Sequence, residues 1–235
     1  MNPAPSGAPR HLPAKRGGQQ PLEVALIDVG GTLWPNSWPL RETDGDGRHH
    51  RVAAAMPDLA AGAVELVVAS LARQGLPADA LSVARIRRAM ALPVADRLKP
   101  LPGAVELLSD IHALGMRTVI ASNTYWRDAE SYWEDFRLLG MADHVHAIVT
   151  SVDAGHLKPH PAVFELAMRA GGAPAERCVV IGNKESNDIE PALALGMRTI
   201  LVHPDDPIPT SSRAHAVAPD LWACSQALKA MLGSP

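Results

Sequence analysis

Side chains able to do chemistry recur in this sequence directly after apolar runs. Asp28 follows VALI in the stretch VALIDVGGTLW (24–34), and Ser122 and Asn123 follow RTVIA. Lys158 stands within VDAGHLKPHP, and Asn183 and Asp188 lie within GNKESND. Each has an ordinary structural explanation when taken alone. A Ser-Asn after a strand is usually a turn or a helix cap, and a lone lysine is usually a solvated charge. Together they are a carboxylate, a hydroxyl with an amide, an ammonium, and a further amide and carboxylate. A phosphoryl site needs such a set: a nucleophile, donors for oxygens, a cation for developing charge, and acids for Mg2+.

The elements that must position these residues alternate. VALIDV (24–29), RTVIAS (117–122), AIVTS (147–151), CVVIGN (178–183) and TILVH (199–203) are short, apolar and β-branched, which predicts buried strands. The intervening segments 103–115, 127–140, 161–172 and 189–196 carry apolar residues at three- and four-residue spacing and mostly end at Gly. A last helix is expected over about 219–232. Strands alternating with helices imply an α/β fold with a Rossmann-like parallel sheet covered on both faces. In such sheets ligands bind beyond the carboxyl ends of the strands, where the polar residues above fall.

Residues 35–100 break this rhythm. WPNSWPLRETDGDGRHHR is too rich in Pro, Asn, Asp and Gly for an element, and helical patterns over about 53–74 and 79–91 follow. This predicts a small α-helical cap inserted between the first two strands. The expected organisation is a disordered leader at 1–21, a core of 22–34 and 101–205, the cap at 35–100, and a C-terminal extension with a helix at 206–235.

Bulk composition narrows the function class. The 235 residues are 47% apolar, enough for a sizeable core. A net charge of −3 and a pI near 6.4 give no basic patch, so neither nucleic acid nor a membrane surface is an expected partner. Two distant cysteines make neither a disulfide framework nor a metal knuckle and suit a reducing cytoplasm. A small-molecule substrate and a monomer or homodimer are expected. Trp126, Tyr132 and Trp133 are read as packing residues, because no basic patch accompanies them.

The motifs DVGGTL, ASNT, GHLKPHPAVFE and VVIGNKESNDIEPALALGM resemble those of the haloacid dehalogenase-like hydrolase superfamily, over roughly residues 22–205. Lys-Pro-x-Pro-x-x-Phe followed by Ile-Gly-x-x-x-x-Asn-Asp-Ile is similar to the subfamily with a helical cap between motifs one and two. The resemblance implies that Asp28 is a nucleophile forming an aspartyl-phosphate, and that Thr32 supports its loop. It implies that Ser122 and the Asn123 backbone hold phosphate oxygens and that Lys158 pairs with Asp28 and the transferring group. It places Mg2+ on Asp28, the Gly30 backbone carbonyl, Asn183 and Asp188. Asp-x-Gly-Gly-Thr is also the phosphate loop of some sugar kinases. That loop joins the strands of a hairpin, and the WPNSWP that follows here cannot be a central strand.

Two positions depart from the superfamily pattern. Gly30 stands where its phosphatases carry an acid/base Asp, a group worth about 10²- to 10⁴-fold in rate. Asn183 replaces the first acid of motif four, with Lys184 beside it, so weak Mg2+ binding is expected. The leading expectation is a slow Mg2+-dependent phosphatase of a small phosphorylated metabolite. His49, His50, Asp44 and Asp46 are candidate proton donors, though a solvated loop explains them better. Two other readings stay open. One is a metal-free 2-haloacid dehalogenase-like hydrolase, with Arg41, Arg48 or Arg51 binding substrate. The other is a binding or regulatory protein on an impaired scaffold. Phosphonate-cleaving relatives need a cap lysine, and none lies between Lys15 and Lys99.

Overall fold

The computed structural model describes residues 21–35, 68, 71–72, 75–77, 79, 99–124, 127–203 and 211–233. The expected leader (1–21), most of the expected cap (35–100) and Trp126 lie outside the described residues, as do Asp44, Asp46, His49, His50, Arg41, Arg48 and Arg51.

Six strands form one parallel sheet in the order β3-β2-β1-β4-β5-β6. They are β1 (Val24–Ile27), β2 (Arg117–Ser122), β3 (Ala147–Thr150), β4 (Cys178–Gly182), β5 (Arg198–Val202) and β6 (Ala216–Ala218). The helices are α1 (Ala104–Ala113), α2 (Ala129–Leu138), α3 (Ser151–Ala154), α4 (Pro161–Gly171), α5 (Glu190–Ala194) and α6 (Leu221–Gly233). A π-helical turn, Glu185–Ile189, leads into α5.

The strands are apolar throughout because both faces of the sheet are covered. On β1, Ala25 and Ile27 enter one core cluster, and Val24 and Leu26 enter the other. On β4 the same alternation sends Val179 and Ile181 one way and Cys178 and Val180 the other. The first cluster is closed by Leu107, Leu108 and Ile111 of α1, Phe136 of α2, and Leu221 and Leu228 of α6. The second is closed by Val163, Phe164 and Ala167 of α4 and Ala192 of α5. The chain steps outward from β1 to β3 over one face. It then returns past β1 to β4 over the other face, because each parallel crossover must be right-handed. The reversal lies at β1, and it opens a crevice at the carboxyl ends of β2, β1 and β4.

Among the described residues, the expected strands and helices were found within two residues of their predicted ends, with two differences. Ser151 begins α3 instead of ending β3, because Thr150 caps that helix with a capping box to Asp153. The helix expected from 189 starts as the π-turn four residues earlier. The C-terminal part, expected as an extension, contributes to the core. β6 pairs with β5 through Ile200–Ala216 and Val202–Ala218, and α6 packs on α1. The three-residue edge strand AVA was too short to give a period.

Both cysteines are buried and free. Burial, then the Glu176 charge, pushes the Cys178 thiol up to about 11. Burial, then Asp220, pushes Cys224 up to about 12. Thiolate is the reactive form, so native protein at pH 8 should resist iodoacetamide at both positions. Mass spectrometry should show alkylation only after denaturant is added.

Candidate active site

Asp28 is set by the strand that precedes it. Its backbone N–H donates to the Ile181 carbonyl at 2.9 Å, carrying the β1–β4 ladder one residue past β1. The chain then coils tightly. Thr32, Leu33 and Trp34 all donate their N–H groups to the Val29 carbonyl, at 3.1, 2.8 and 3.2 Å. Gly31 takes φ 78°, a left-handed turn that suits glycine. The coil aims Thr32 Oγ1 at Asp28 Oδ2, 3.2 Å away. Gly30 is not among the residues with positive φ, so its backbone does not demand glycine.

Lys158 reaches the same place from the loop between α3 and α4. Its ammonium donates to Asp28 Oδ1 at 2.8 Å and to Asp188 Oδ1 at 2.6 Å, and its side chain is 3% exposed. The loop is pinned by Asn123. The Asn123 Oδ1 accepts from Lys158 N–H at 2.7 Å, and its Nδ2 donates to the Lys158 carbonyl at 3.0 Å. Asn123 was expected to act through its backbone, whereas its side chain is used as a clamp that holds the lysine. Burial alone would lower the Lys158 pKa, but the charges of Asp188 and then Asp28 more than reverse this and raise it. Burial pushes the Asp188 carboxyl up, Lys158 pulls it down, and Asp28 pushes it up again.

Asp188 comes from the π-turn after β4. Its Oδ2 accepts the Lys184 N–H at 3.1 Å, and the Lys184 side chain is exposed. Gly182 makes room for it, because a Cβ there would lie 2.5 Å from Asp188 Cγ. Ser122, at the end of β2, is 2% exposed, and its hydroxyl meets the Tyr132 hydroxyl at 3.3 Å. The structure therefore brings Asp28, Thr32, Asn123, Lys158 and Asp188 into one bonded network, with Ser122 and Asn183 at neighbouring strand ends. Sequence reasoning overlooked the steric role of Gly182 and treated Tyr132 as packing alone. A signal for the latter was available: Asp135 falls on the buried face of α2, and a buried acid calls for a partner.

The donor set fits a hard cation such as Mg2+. Asn183 is 9% exposed, and its Oδ1 is buried without a hydrogen-bond partner. It adjoins a pair of carboxylates whose second oxygens, Asp28 Oδ2 and Asp188 Oδ2, each retain acceptor capacity. Among the described residues no three His, Cys, Asp or Glu side chains cluster for a metal. The Asn183 amide offers an uncharged oxygen where stronger sites use acids.

A partly buried carboxylate, an ammonium bridging it to a second carboxylate, and a hydroxyl at the next strand define a hydrolase-type site at the switch point of a parallel α/β sheet. The family model for haloacid dehalogenase-like hydrolase matches residues 22–196, and the chain belongs to that family. It is 36% identical over 106 residues to the glyceraldehyde 3-phosphate phosphatase of Methanothermobacter thermautotrophicus, a match covering 45% of this chain and 46% of that protein. The chain thus spans about half the length of the curated relatives it matches. Among solved structures, a HAD phosphatase from Thermococcus onnurineus superposes with TM-score 0.57 at 17% identity, over 88% of this chain and 98% of the other. A 2-haloacid dehalogenase from Pseudomonas syringae pv. tomato DC3000 gives 0.59 at 19% identity, over 89% and 99%. These two share the fold.

Substituting Gly182→Ala should force Asp188 away from Lys158. Overpacking of a filled site costs about 1–3 kcal/mol, so thermal unfolding should show a lowered Tm. An unchanged Tm would mean that Asp188 moves aside freely.

Proposed function

We propose that this protein is a Mg2+-assisted phosphatase of a small phosphorylated metabolite, acting through Asp28. The observation that carries the reading is the Lys158 ammonium, 2.8 Å from Asp28 and 2.6 Å from Asp188 within a buried crevice. A neutralised carboxylate can approach an anionic phosphoryl group, and the same ammonium offsets charge on its oxygens. Several matched relatives are named glyceraldehyde 3-phosphate phosphatase, which makes triose phosphates the first substrates to assay. The region expected to select substrate, 35–100, lies outside the described residues.

In this reading Asp28 attacks phosphorus, the ester P–O bond breaks, and an aspartyl-phosphate forms. Water then releases phosphate and restores Asp28. Ser122 and the Asn123 backbone donate to the phosphoryl oxygens, and Thr32 holds Asp28 in its attacking orientation. Mg2+, held by Asp28, the Gly30 carbonyl, Asn183 and Asp188, would supply positive charge opposite the transferring group. Gly30 provides no proton, so the leaving oxygen takes its proton from solvent and turnover is slow.

Asp28→Asn should abolish hydrolysis of glyceraldehyde 3-phosphate and of other small phosphate esters, and wild-type turnover should need Mg2+. Absence of turnover on any phosphate ester, with no Mg2+ binding by calorimetry, would sink the reading. Chloride release from 2-chloropropionate without metal would select dehalogenation instead. Gly30→Asp should raise kcat by about 10²-fold or more, because it restores a proton donor where backbone geometry tolerates a side chain. The raised Lys158 pKa also has a kinetic sign. The ammonium stays charged throughout the neutral and mildly alkaline range, so the kcat/KM profile should show no alkaline limb from this residue up to about pH 9, below the ordinary lysine pKa near 10.4.

A further inference from the structure

We propose that Tyr132 is a positioning residue that orients the Ser122 hydroxyl as a hydrogen-bond donor toward bound phosphate. The inference rests on the phosphatase reading and assigns a part of its oxyanion-binding machinery.

A serine hydroxyl has one proton and rotates freely. To serve a phosphate oxygen, that proton must point out of the sheet and not toward another acceptor. Ser122 is 2% exposed, and the Tyr132 hydroxyl lies 3.3 Å from its oxygen. A phenol donating into Ser122 Oγ occupies a lone pair and leaves the serine proton for the ligand. The reverse arrangement would spend that proton on the tyrosine. The first is the arrangement that serves the ligand. Burial raises the Tyr132 pKa, against the Ser122 hydrogen bond and the Arg127 charge, so the phenol keeps a proton to donate.

Two neighbours hold the ring. The Arg127 guanidinium lies 4.6 Å over its face. Arg127 is itself 3% exposed, ion-paired to the fully buried Asp135, and donates to the Ser131 carbonyl at 2.9 Å. Its backbone N–H is tied to Thr124 Oγ1 at 3.1 Å, and Thr124 is held by Ser151 at the start of α3. Burying an ion pair is costly, and Nε and Nη1 of Arg127 have no hydrogen-bond partner among the described residues. Such an arrangement is hard to explain as packing, since an apolar pair would fill the space at lower cost. Fixing the tyrosine ring accounts for it. Trp34, which ends the Asp28 loop, is a second neighbour of the same ring, tilted with centroids 5.9 Å apart. The nucleophile loop and the phosphate-binding serine therefore share one aromatic support.

The test is a double-mutant cycle on the full chain. Tyr132→Phe keeps the ring and removes the hydroxyl. It should lower kcat/KM for a phosphate ester about tenfold, the rate equivalent of one lost hydrogen bond, and weaken orthophosphate binding in calorimetry by a similar factor. In a Ser122→Ala background the same substitution should change neither quantity, because no hydroxyl remains to orient. Wild-type values in Tyr132→Phe, or an equal loss with and without Ser122, would overturn the proposal. Should Tyr132→Phe fail to fold, 3-fluorotyrosine incorporated at the two tyrosines provides the same cycle. Its effect on rate and phosphate binding must again vanish with Ser122→Ala. Wild type that turns over a phosphate ester while the cycle shows no coupling rejects only the role of Tyr132. Wild type that neither turns over esters nor binds orthophosphate rejects the phosphatase reading and this proposal with it.

Discussion

One buried ammonium organises the described structure around the site. Lys158 lies between two carboxylates from different strands and is almost entirely removed from water. Three charges so placed are tolerable only together. Removing one partner of a buried pair typically costs about 3–5 kcal/mol, because the charge left behind is unpaired. Every neighbouring feature serves that geometry. Asn123 fixes the lysine backbone on both its N–H and its carbonyl. Gly182 leaves space for Asp188, and the Lys184 N–H satisfies the oxygen that Lys158 does not reach.

The network leaves a net charge of −1 when both carboxylates are ionised, with an unpartnered amide oxygen beside them. Two bare carboxylates would repel an anion more strongly than a pair bridged by an ammonium. The exposed Lys184 adds little, because its charge stands in solvent. The Asn183 amide brings no charge of its own, and the Lys184 charge beside it is not buried.

The sheet order explains why four separate stretches can meet. β1 is central, and the chain leaves it in one direction and returns past it in the other. The carboxyl ends of β2, β1 and β4 consequently lie side by side, with registers that align Ile27 with Ile120 and with Ile181. Residues one or two positions beyond these ends are held within reach of each other by the ladder itself. Two core clusters, one on each face, keep the strands flat against their helices so that this alignment persists.

Strand identities and the polar residues at their ends were legible in the sequence, because apolar runs and their punctuation are local properties. Asp28, Ser122, Lys158 and Asp188 could be named from order alone. Local pattern could not reveal β6, whose three residues acquire meaning only by pairing with β5. Nor could it reveal that the Asn123 side chain grips the lysine loop, or that Lys184 faces away. Tyr132 carries the sharpest contrast. The lack of a basic patch marked it as a packing residue, and it is buried, at 7% exposure. That its hydroxyl lies beside Ser122 depends on how α2 packs against the sheet at β3, with the Arg127 guanidinium over its ring. The sequence by itself determined which chemical groups arrive at the sheet edge, since strand period and helix period are written in neighbouring residues. Which of them touch was decided only by tertiary structure, because hydrogen bonds and ion pairs between distant segments depend on distances that no local spacing encodes.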